Sequence, residues 1–311
     1  MRLRITYDTR YDYQPSVLSA VHMAHLVPPH TRCQTRLEYR LQIDPTPDVV
    51  TETDDIYRNV RTFFQIDRMH RRLRVRATSL VDTRAPEPAD SRIAWDEVRD
   101  AFVYHAGARW HPAAEFIYPS VHVHPGPAFA DYARPCFAPG RPLVEAAREL
   151  MRRVHREFTY AADATEVSTP AAVALERRMG VCQDFSHVML ACLRSLGLPA
   201  RYVSGYLLTQ PPPGRPRLIG SDASHAWVSV FLPDLAARHG GHGWYDLDPT
   251  NDRDGWGAPG EDFVRLAVGR DYADISPMRG VIHGSGKHRL DVGVTVEPFG
   301  AASLDDVPAL P

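Results

Sequence analysis

The stretch that decides the fold runs from residue 180 to residue 199 and reads GVCQDFSHVMLACLRSLGLP. Its apolar side chains recur every three or four residues, which is the spacing of one helix face. They form a stripe of Phe185, Val188, Met189, Cys192 and Leu193. Gly197-Leu-Pro199 then supplies residues that commonly end a helix. The stretch therefore predicts a helix over 183–196, with Cys182 at its N-terminal edge.

Two further helices are predicted upstream of this stretch. Pro142 is suited to the first helical position, and apolar residues follow it at helical spacing, namely Leu143, Ala147, Leu150 and Val154. Thr169 and Pro170 have the character of an N-cap and a first helical residue, and Gly180 is a typical stop. Strand patterns follow at 201–207, 225–231, 244–248 and 290–296. Helices followed by antiparallel strands predict an α+β domain in which helices pack on an antiparallel sheet.

The first third of the chain alternates apolar and polar residues with the two-residue period of half-buried strands. The alternating apolar positions are Leu3, Ile5 and Tyr7, then Leu37, Tyr39, Leu41 and Ile43, then Leu73, Val75 and Ala77. This pattern predicts a β-sandwich-like unit that ends near residue 110. We therefore expect two domains, a β-rich one at 1–110 and an α+β one at 111–311 that includes the C-terminal strand.

Composition excludes several classes of protein. The chain has 311 residues, of which 44% are hydrophobic and 24% charged, so it is neither disordered nor fibrous. Its 36 basic and 38 acidic residues give a net charge of −2, so no overall field attracts nucleic acid or an anionic membrane. No apolar run approaches the ~18 residues of a membrane span, and the opening residues lack the apolar core of a secretory signal. We expect a cytoplasmic protein.

The four cysteines differ in their settings. They stand at Cys33, Cys136, Cys182 and Cys192, too few and too scattered for a disulfide framework or a zinc clip. At the start of a helix, unpaired backbone N–H groups and the positive end of the helix dipole stabilise a thiolate. Cys182 alone has that setting. The other three are predicted to be structural.

A nucleophilic cysteine needs a base, and histidine is the side chain whose pKa lies in the required range. Among the fifteen histidines, His225 begins a predicted strand after the small, polar loop at 220–224, where a substrate could approach. The imidazole in turn needs an acceptor that holds one tautomer. Asp246 and Asp248 lie on one face of the next predicted strand, so alternation does not separate them. Asp248 is modestly favoured because Pro249 ends the strand beside it.

Other polar residues are predicted to be structural. His122 and His124 have a spacing compatible with a metal if they share a strand face, but no partner ligand stands nearby. His187 is expected on the helix surface or behind the site. Arg270-Asp271 and Asp274 are expected to tie the C-terminal segment to the core by hydrogen bonds.

Three separated blocks resemble the core of the bacterial transglutaminase-like superfamily. They are residues 180–206, residues 224–230 (SHAWVSV) and residues 244–251 (WYDLDPTN). The order of cysteine, histidine and aspartate matches, with 43 residues from Cys182 to His225 and 23 from His225 to Asp248. The β-rich first third is similar to the N-terminal domain common in these bacterial proteins, and 263–274 resembles their C-terminal segment.

The resemblance implies a papain-like catalytic domain in which a helix presents the cysteine and a sheet supplies the other two residues. Carried over by position, Cys182 is the nucleophile, His225 the general acid and base, and Asp248 the residue that orients the imidazole. The implied chemistry is thiolate attack on the amide of a peptide or related substrate, with an acyl-thioester resolved by water or an amine. Hydrolysis is favoured; transfer to an amine and a non-catalytic binding module are the alternatives. No cofactor or metal is implied, and no side-chain oxyanion donor is assigned.

Overall fold

The β-rich unit follows from the alternation of apolar and polar residues. The structure, a computed structural model, describes residues 1–108, 110–162, 164–208, 223–284 and 286–300. The first strands are β1 (Arg2–Val17), β2 (Ser19–Ala24), β3 (Gln34–Asp44), β4 (Val49–Asp54), β5 (Val60–Ile66) and β6 (His70–Thr83). The predicted apolar positions of β1 and β6 are buried. On β3 they are half-buried, and Leu37 is exposed, because β3 is an edge strand with a bulge between Arg36 and Glu38.

Two C-terminal strands complete this unit. They are β14 (Met278–His283) and β15 (Lys287–Pro298). The unit is two four-stranded antiparallel sheets, with strand orders β15-β1-β6-β3 and β14-β2-β5-β4. The C-terminal strand was expected to belong to the second unit, but its register on β1 runs from Leu3 opposite Pro298 to Gln14 opposite Lys287. The reason is burial, since Val294 and Val296 enter the core of the β-rich unit.

The second unit packs helices on a five-stranded antiparallel sheet, as the α+β fold class requires. Its helices are α1 (Trp95–Ala101), α2 (Pro127–Ala133), α3 (Leu143–Glu157), α4 (Ala171–Arg177), α5 (Cys182–Ser195), α6 (Pro233–Arg238) and α7 (Tyr272–Ile275). Its sheet strands are β9 (Ala200–Leu207), β10 (Ser224–Phe231), β11 (Trp244–Asp248), β12 (Arg253–Trp256) and β13 (Phe263–Gly269), in the order β12-β11-β10-β9-β13. Val98 of α1 packs in this core, so the helical unit begins before residue 110.

The predicted helices α3 and α5 are confirmed, and α5 is buried along almost its whole length because it runs between the sheet and the other helices. The helix predicted to stop at Gly180 ends earlier, at Arg177. Arg178 there adopts a left-handed φ of 54°, and β8 (Met179–Gly180) then pairs in parallel with β7 (Thr159–Tyr160). In the described part of the chain, no helix combines the length and apolarity that crossing a membrane requires.

Candidate active site

Cys182 is the first residue of α5 and is partly exposed, while the other three cysteines are buried. The backbone N–H groups of the first helical turn have no acceptor within the helix, so they face the thiol with partial positive charge. The turn is held by Asp184, whose carboxylate accepts the Val181 N–H at 2.8 Å and the Thr165 hydroxyl at 2.6 Å. Burial raises the pKa of the thiols of Cys33, Cys136 and Cys192, in keeping with structural roles.

His225 and Asp248 meet across β10 and β11. The imidazole Nε2 lies 2.7 Å from Asp248 Oδ2, and the carboxylate is fully buried. The other oxygen, Oδ1, accepts the Thr250 N–H at 2.9 Å. With Nε2 occupied by the carboxylate, Nδ1 is the ring nitrogen left for the thiol.

Asp246 has different partners, and this separates it from Asp248. Its Oδ1 accepts the indole N–H of Trp227 at 3.1 Å and the hydroxyl of Ser229. Asp246 therefore braces the middle of the sheet, whereas Asp248 contacts the imidazole.

Asn251 is a part of the site that sequence reasoning missed. Its side-chain Nδ2 donates to Asp248 Oδ2 at 2.7 Å and lies 3.2 Å from His225 Nε2. The available signal was its position three residues after Asp248, within the turn that follows β11. An amide there fixes the carboxylate without adding charge.

Aromatic rings cover the bond between His225 and Asp248. Trp227 lies at 28° to the plane of the imidazole, with ring centroids 6.2 Å apart, and the Phe263 centroid lies 5.8 Å from that of the imidazole. Gly205, directly opposite His225 on β9, makes room for this packing, because a Cβ there would lie 2.6 Å from the Trp227 ring. Exclusion of water strengthens the electrostatic attraction between the ring and the carboxylate.

The environment of His225 favours its protonated form. Burial by itself lowers the pKa of a histidine, but the charge and hydrogen bond of Asp248, together with hydrogen bonding and charge from the Cys182 sulfur, raise the pKa of His225 to about 10. A protonated imidazole beside the sulfur stabilises a thiolate. The imidazole of His225 therefore lies between the Cys182 sulfur and the Asp248 carboxylate.

Cys182 and His225 open onto a cavity of about 280 Å³ between the two units. The core contributes Tyr202 and Tyr206 from β9, while the β-rich unit contributes Tyr7 and Tyr11 from β1 and Leu290 and Val292 from β15. The described walls are thus mainly aromatic and aliphatic. The predicted loop at 220–224 lies largely outside the described residues, since 209–222 are not described.

The remaining polar candidates take structural positions. His122 and His124 lie in an irregular segment rather than on a strand, so the expected shared strand face is absent. His122 stacks on His187 at 5.4 Å. Of the two positions expected for His187, the helix surface is wrong and the position behind the site is found: it is buried against Tyr202, burial lowers its pKa, and its Nε2 accepts the Tyr272 N–H at 3.3 Å. In the ranges that the structure describes, no three histidine, cysteine or carboxylate groups are placed to hold a metal ion.

The segment after β13 is tied to the core as expected. Arg270 pairs with Asp274, with Nε 2.9 Å from Oδ2. Asp271 is fully buried and accepts the backbone N–H groups of His122 at 2.6 Å and Ala273 at 2.9 Å. These bonds fix the wall of the cavity that includes Tyr272.

Comparison with known proteins places this arrangement in a family. Residues 130–249 match the model of the transglutaminase-like superfamily, and residues 3–82 match that of the bacterial transglutaminase-like N-terminal region. An uncharacterised protein of Mycobacterium tuberculosis is 38% identical over 97% of this chain and 95% of its own length. A protein-glutamine gamma-glutamyltransferase of Pseudomonas aeruginosa is 32% identical over 126 residues, which are 40% of this chain and 18% of that protein.

The fold is also found in a solved structure. The crystal structure of a candidate cysteine protease from Cytophaga hutchinsonii superposes with a TM-score of 0.69 at 18% identity, covering 97% of this chain and 92% of that one. The agreement spans both the β-rich unit and the core. The chain belongs to the transglutaminase-like superfamily.

Proposed function

We propose that the protein is a cysteine-dependent enzyme that acts on amide bonds, with Cys182 as nucleophile, His225 as general acid and base, and Asp248 as the residue that orients the imidazole. One observation carries the proposal. A partly exposed cysteine at a helix start shares a cavity with a histidine that is hydrogen-bonded to a fully buried aspartate. This is the arrangement that activates a thiol for acyl transfer.

The reaction begins with attack of the Cys182 thiolate on the amide carbonyl. The carbon–sulfur bond forms, and the carbonyl electrons move to an oxyanion that the N–H groups at the start of α5 stabilise. The imidazolium of His225 donates its proton to the leaving nitrogen, the carbon–nitrogen bond breaks, and ammonia or an amine departs from the acyl-thioester.

The thioester is then resolved by a second nucleophile. His225, now neutral, takes a proton from water as the water attacks, which releases a carboxylic acid and returns the thiolate and imidazolium. Hydrolysis is the favoured outcome, because water is present at ~55 M and needs no bound acceptor. Transfer to a primary amine is the second candidate, supported by the likeness of 126 residues to a protein-glutamine gamma-glutamyltransferase.

Alkylation tests the activated thiol. With iodoacetamide near neutral pH, followed by peptide mapping, we expect Cys182 to react much faster than the three buried cysteines. His225→Ala should slow the reaction at Cys182 and leave the other three rates unchanged. Equal rates at all four thiols would refute the proposal.

The two outcomes of the thioester are distinguished by product. A glutamine-containing peptide is incubated with and without a primary amine, and ammonia, new amine termini and incorporated amine are measured. Hydrolysis predicts release that does not depend on the amine. Faster turnover with covalent amine incorporation would establish transfer instead, and Cys182→Ser should abolish either activity.

A further inference from the structure

A second cavity, of about 160 Å³, lies on the other face of the core sheet from α5. On β9, Tyr202 contacts His187 of α5, so Arg201 beside it projects to the opposite face. The cavity is lined by Arg32, Arg201 and Arg265 together with the indoles of Trp244 and Trp256. Arg32 comes from the β-rich unit, and the others come from the core.

Two of these arginines are unpaired. Within the described residues, neither Arg201 nor Arg265 donates a side-chain hydrogen bond or has a carboxylate within 4.0 Å, and the Nε of Arg201 is buried without an acceptor. Each guanidinium is protonated and carries five N–H donors. The Arg201 Cζ lies over the ring of Trp244, 4.1 Å from the centroid. Its direction is therefore fixed while its donors stay unused.

The local charges leave an excess of positive charge. Arg32 is paired with Glu87 and stacks on Trp256 at 3.8 Å, so it is already compensated. Asp246 is the buried carboxylate that faces Arg201 and Arg265; its Oδ1 accepts from Trp227 and Ser229, and its Oδ2 has no hydrogen-bond partner among the described residues. The two positive charges of Arg201 and Arg265 are therefore opposed by a single carboxylate, that of Asp246, which lies beyond contact distance. Burial lowers the pKa of both arginines, which means that each charge is held at a cost that a contacting anion would offset.

The size of the cavity limits what can enter. A volume of about 160 Å³ is roughly five times the ~30 Å³ that one water occupies in the liquid, enough for a single small anion. Two neighbouring guanidinium groups can donate hydrogen bonds to the oxygens of a planar carboxylate or a tetrahedral phosphate.

We propose that this cavity is a binding site for a small oxyanion, whose carboxylate or phosphate oxygens are held by Arg201 and Arg265. The site is separate from the cavity at Cys182, because the two cavities share no lining residue.

Calorimetric titration of the full chain tests the site. Inorganic phosphate and citrate are titrated separately at constant ionic strength, balanced with sodium chloride, into wild type, Arg201→Met, Arg265→Met and Arg289→Met. Arg289 is 78% exposed and pairs only with Asp291 among described groups, so it is the matched control. We expect Arg289→Met to bind as wild type does, and Arg201→Met and Arg265→Met each to lose at least tenfold in affinity. Tighter binding of phosphate than of citrate identifies a phosphate site, and the reverse order a carboxylate site.

Two further variants keep the result decisive. Cys182→Ser should bind the anion unchanged, since the site does not include the thiol. If a methionine variant fails to fold by circular dichroism, Arg265→Lys retains the charge but loses the planar fork, and it should still weaken binding severalfold. No saturable heat with either anion in wild type, or equal affinity in wild type and the Arg201 and Arg265 variants, would overturn the proposal and leave these arginines as structural charges.

Discussion

Asp246 and Asp248 stand two residues apart on one face of β11, and only their partners give them different roles. The strand period places both on that face. From the sequence, Pro249 favoured Asp248 modestly, and the resemblance to the transglutaminase-like superfamily selected it by position. Cross-strand register decides the rest. Ser229 lies opposite Asp246, so Asp248 falls beside the start of β10, where His225 reaches it diagonally. Register depends on the neighbouring turn and on packing, and neither can be read from the sequence of the strand alone.

Replacement of each aspartate by asparagine tests this division of roles. Asp248→Asn should lower the rate of peptide-amide hydrolysis about 10³-fold or more, because an amide neither fixes the reactive tautomer nor stabilises the imidazolium. The matched variant Asp246→Asn should keep activity within about tenfold and lower the free energy of unfolding by about 1–3 kcal/mol, since it disturbs the buried bonds to Trp227 and Ser229. The reverse pattern would contradict the assignment.

Protonation of His225 should make stability depend on pH. The pKa of His225 is raised to about 10 in the folded protein, against an ordinary value of about 6.5. The folded state therefore binds this proton more tightly than the unfolded chain does. The resulting stabilisation is fully present below pH ~6.5 and is lost as pH rises towards about 10.

Urea unfolding of wild type and His225→Gln between pH 6 and 10 measures this effect. The difference in free energy of unfolding between the two should shrink as pH rises. His105→Gln, at an exposed position, should follow wild type throughout. A difference that stays constant or grows with pH would show that the imidazole is not held protonated.

At the scale of elements, α5 was predicted almost to the residue because its signals are local. The apolar stripe fixes its face, and Gly197 with Pro199 fixes its end. The early end of α4 was not predicted, because Met179 and Gly180 are drawn into a parallel pairing with Thr159 and Tyr160, some twenty residues earlier in the chain. Because of that pairing, the backbone that leads into α5 is extended.

Gly180 is the position where this geometry tolerates least change. Its φ is +155°, and an added Cβ would lie 2.5 Å from the Asp184 carboxylate that caps α5. Gly180→Ala should therefore lower the free energy of unfolding by about 1–3 kcal/mol and slow alkylation of Cys182 severalfold. Thermal unfolding and the iodoacetamide rate measure the two effects.

Gly126→Ala is the control for Gly180→Ala. Gly126 precedes α2 in an extended conformation, and an added Cβ there meets nothing within 4 Å. We expect a stability change within about 0.5 kcal/mol and an unchanged rate at Cys182. Equal effects of the two alanine variants would show that the turn before α5 does not position the thiol.

At the scale of the whole molecule, the chain returns from the core to the β-rich unit through β14 and β15, and both units line the cavity at Cys182. Alternation predicted β15, but it cannot name a strand's partner, so the pairing with β1 was not predictable. The pairing matters for the candidate site because it brings Leu290 and Val292 to the cavity wall opposite the core. The β-rich unit therefore forms part of the wall of the cavity that contains Cys182 and His225.

A charge introduced into that wall should change substrate binding without changing the chemistry. Val292 is 44% exposed on an edge strand, so Val292→Asp should fold normally while placing a carboxylate in a largely apolar cavity. For peptide amides with aromatic or aliphatic side chains, we expect KM to rise about tenfold, with kcat little changed. A tenfold rise corresponds to a loss of about 1.4 kcal/mol in the free energy of substrate binding. Val281→Asp makes the same substitution on β14, at a position 76% exposed and outside the cavity, and should leave KM unchanged. If KM rises equally for both variants, or does not rise for Val292→Asp, the β-rich unit does not contact the substrate. A fall in kcat alone would instead indicate that Cys182 or His225 has moved.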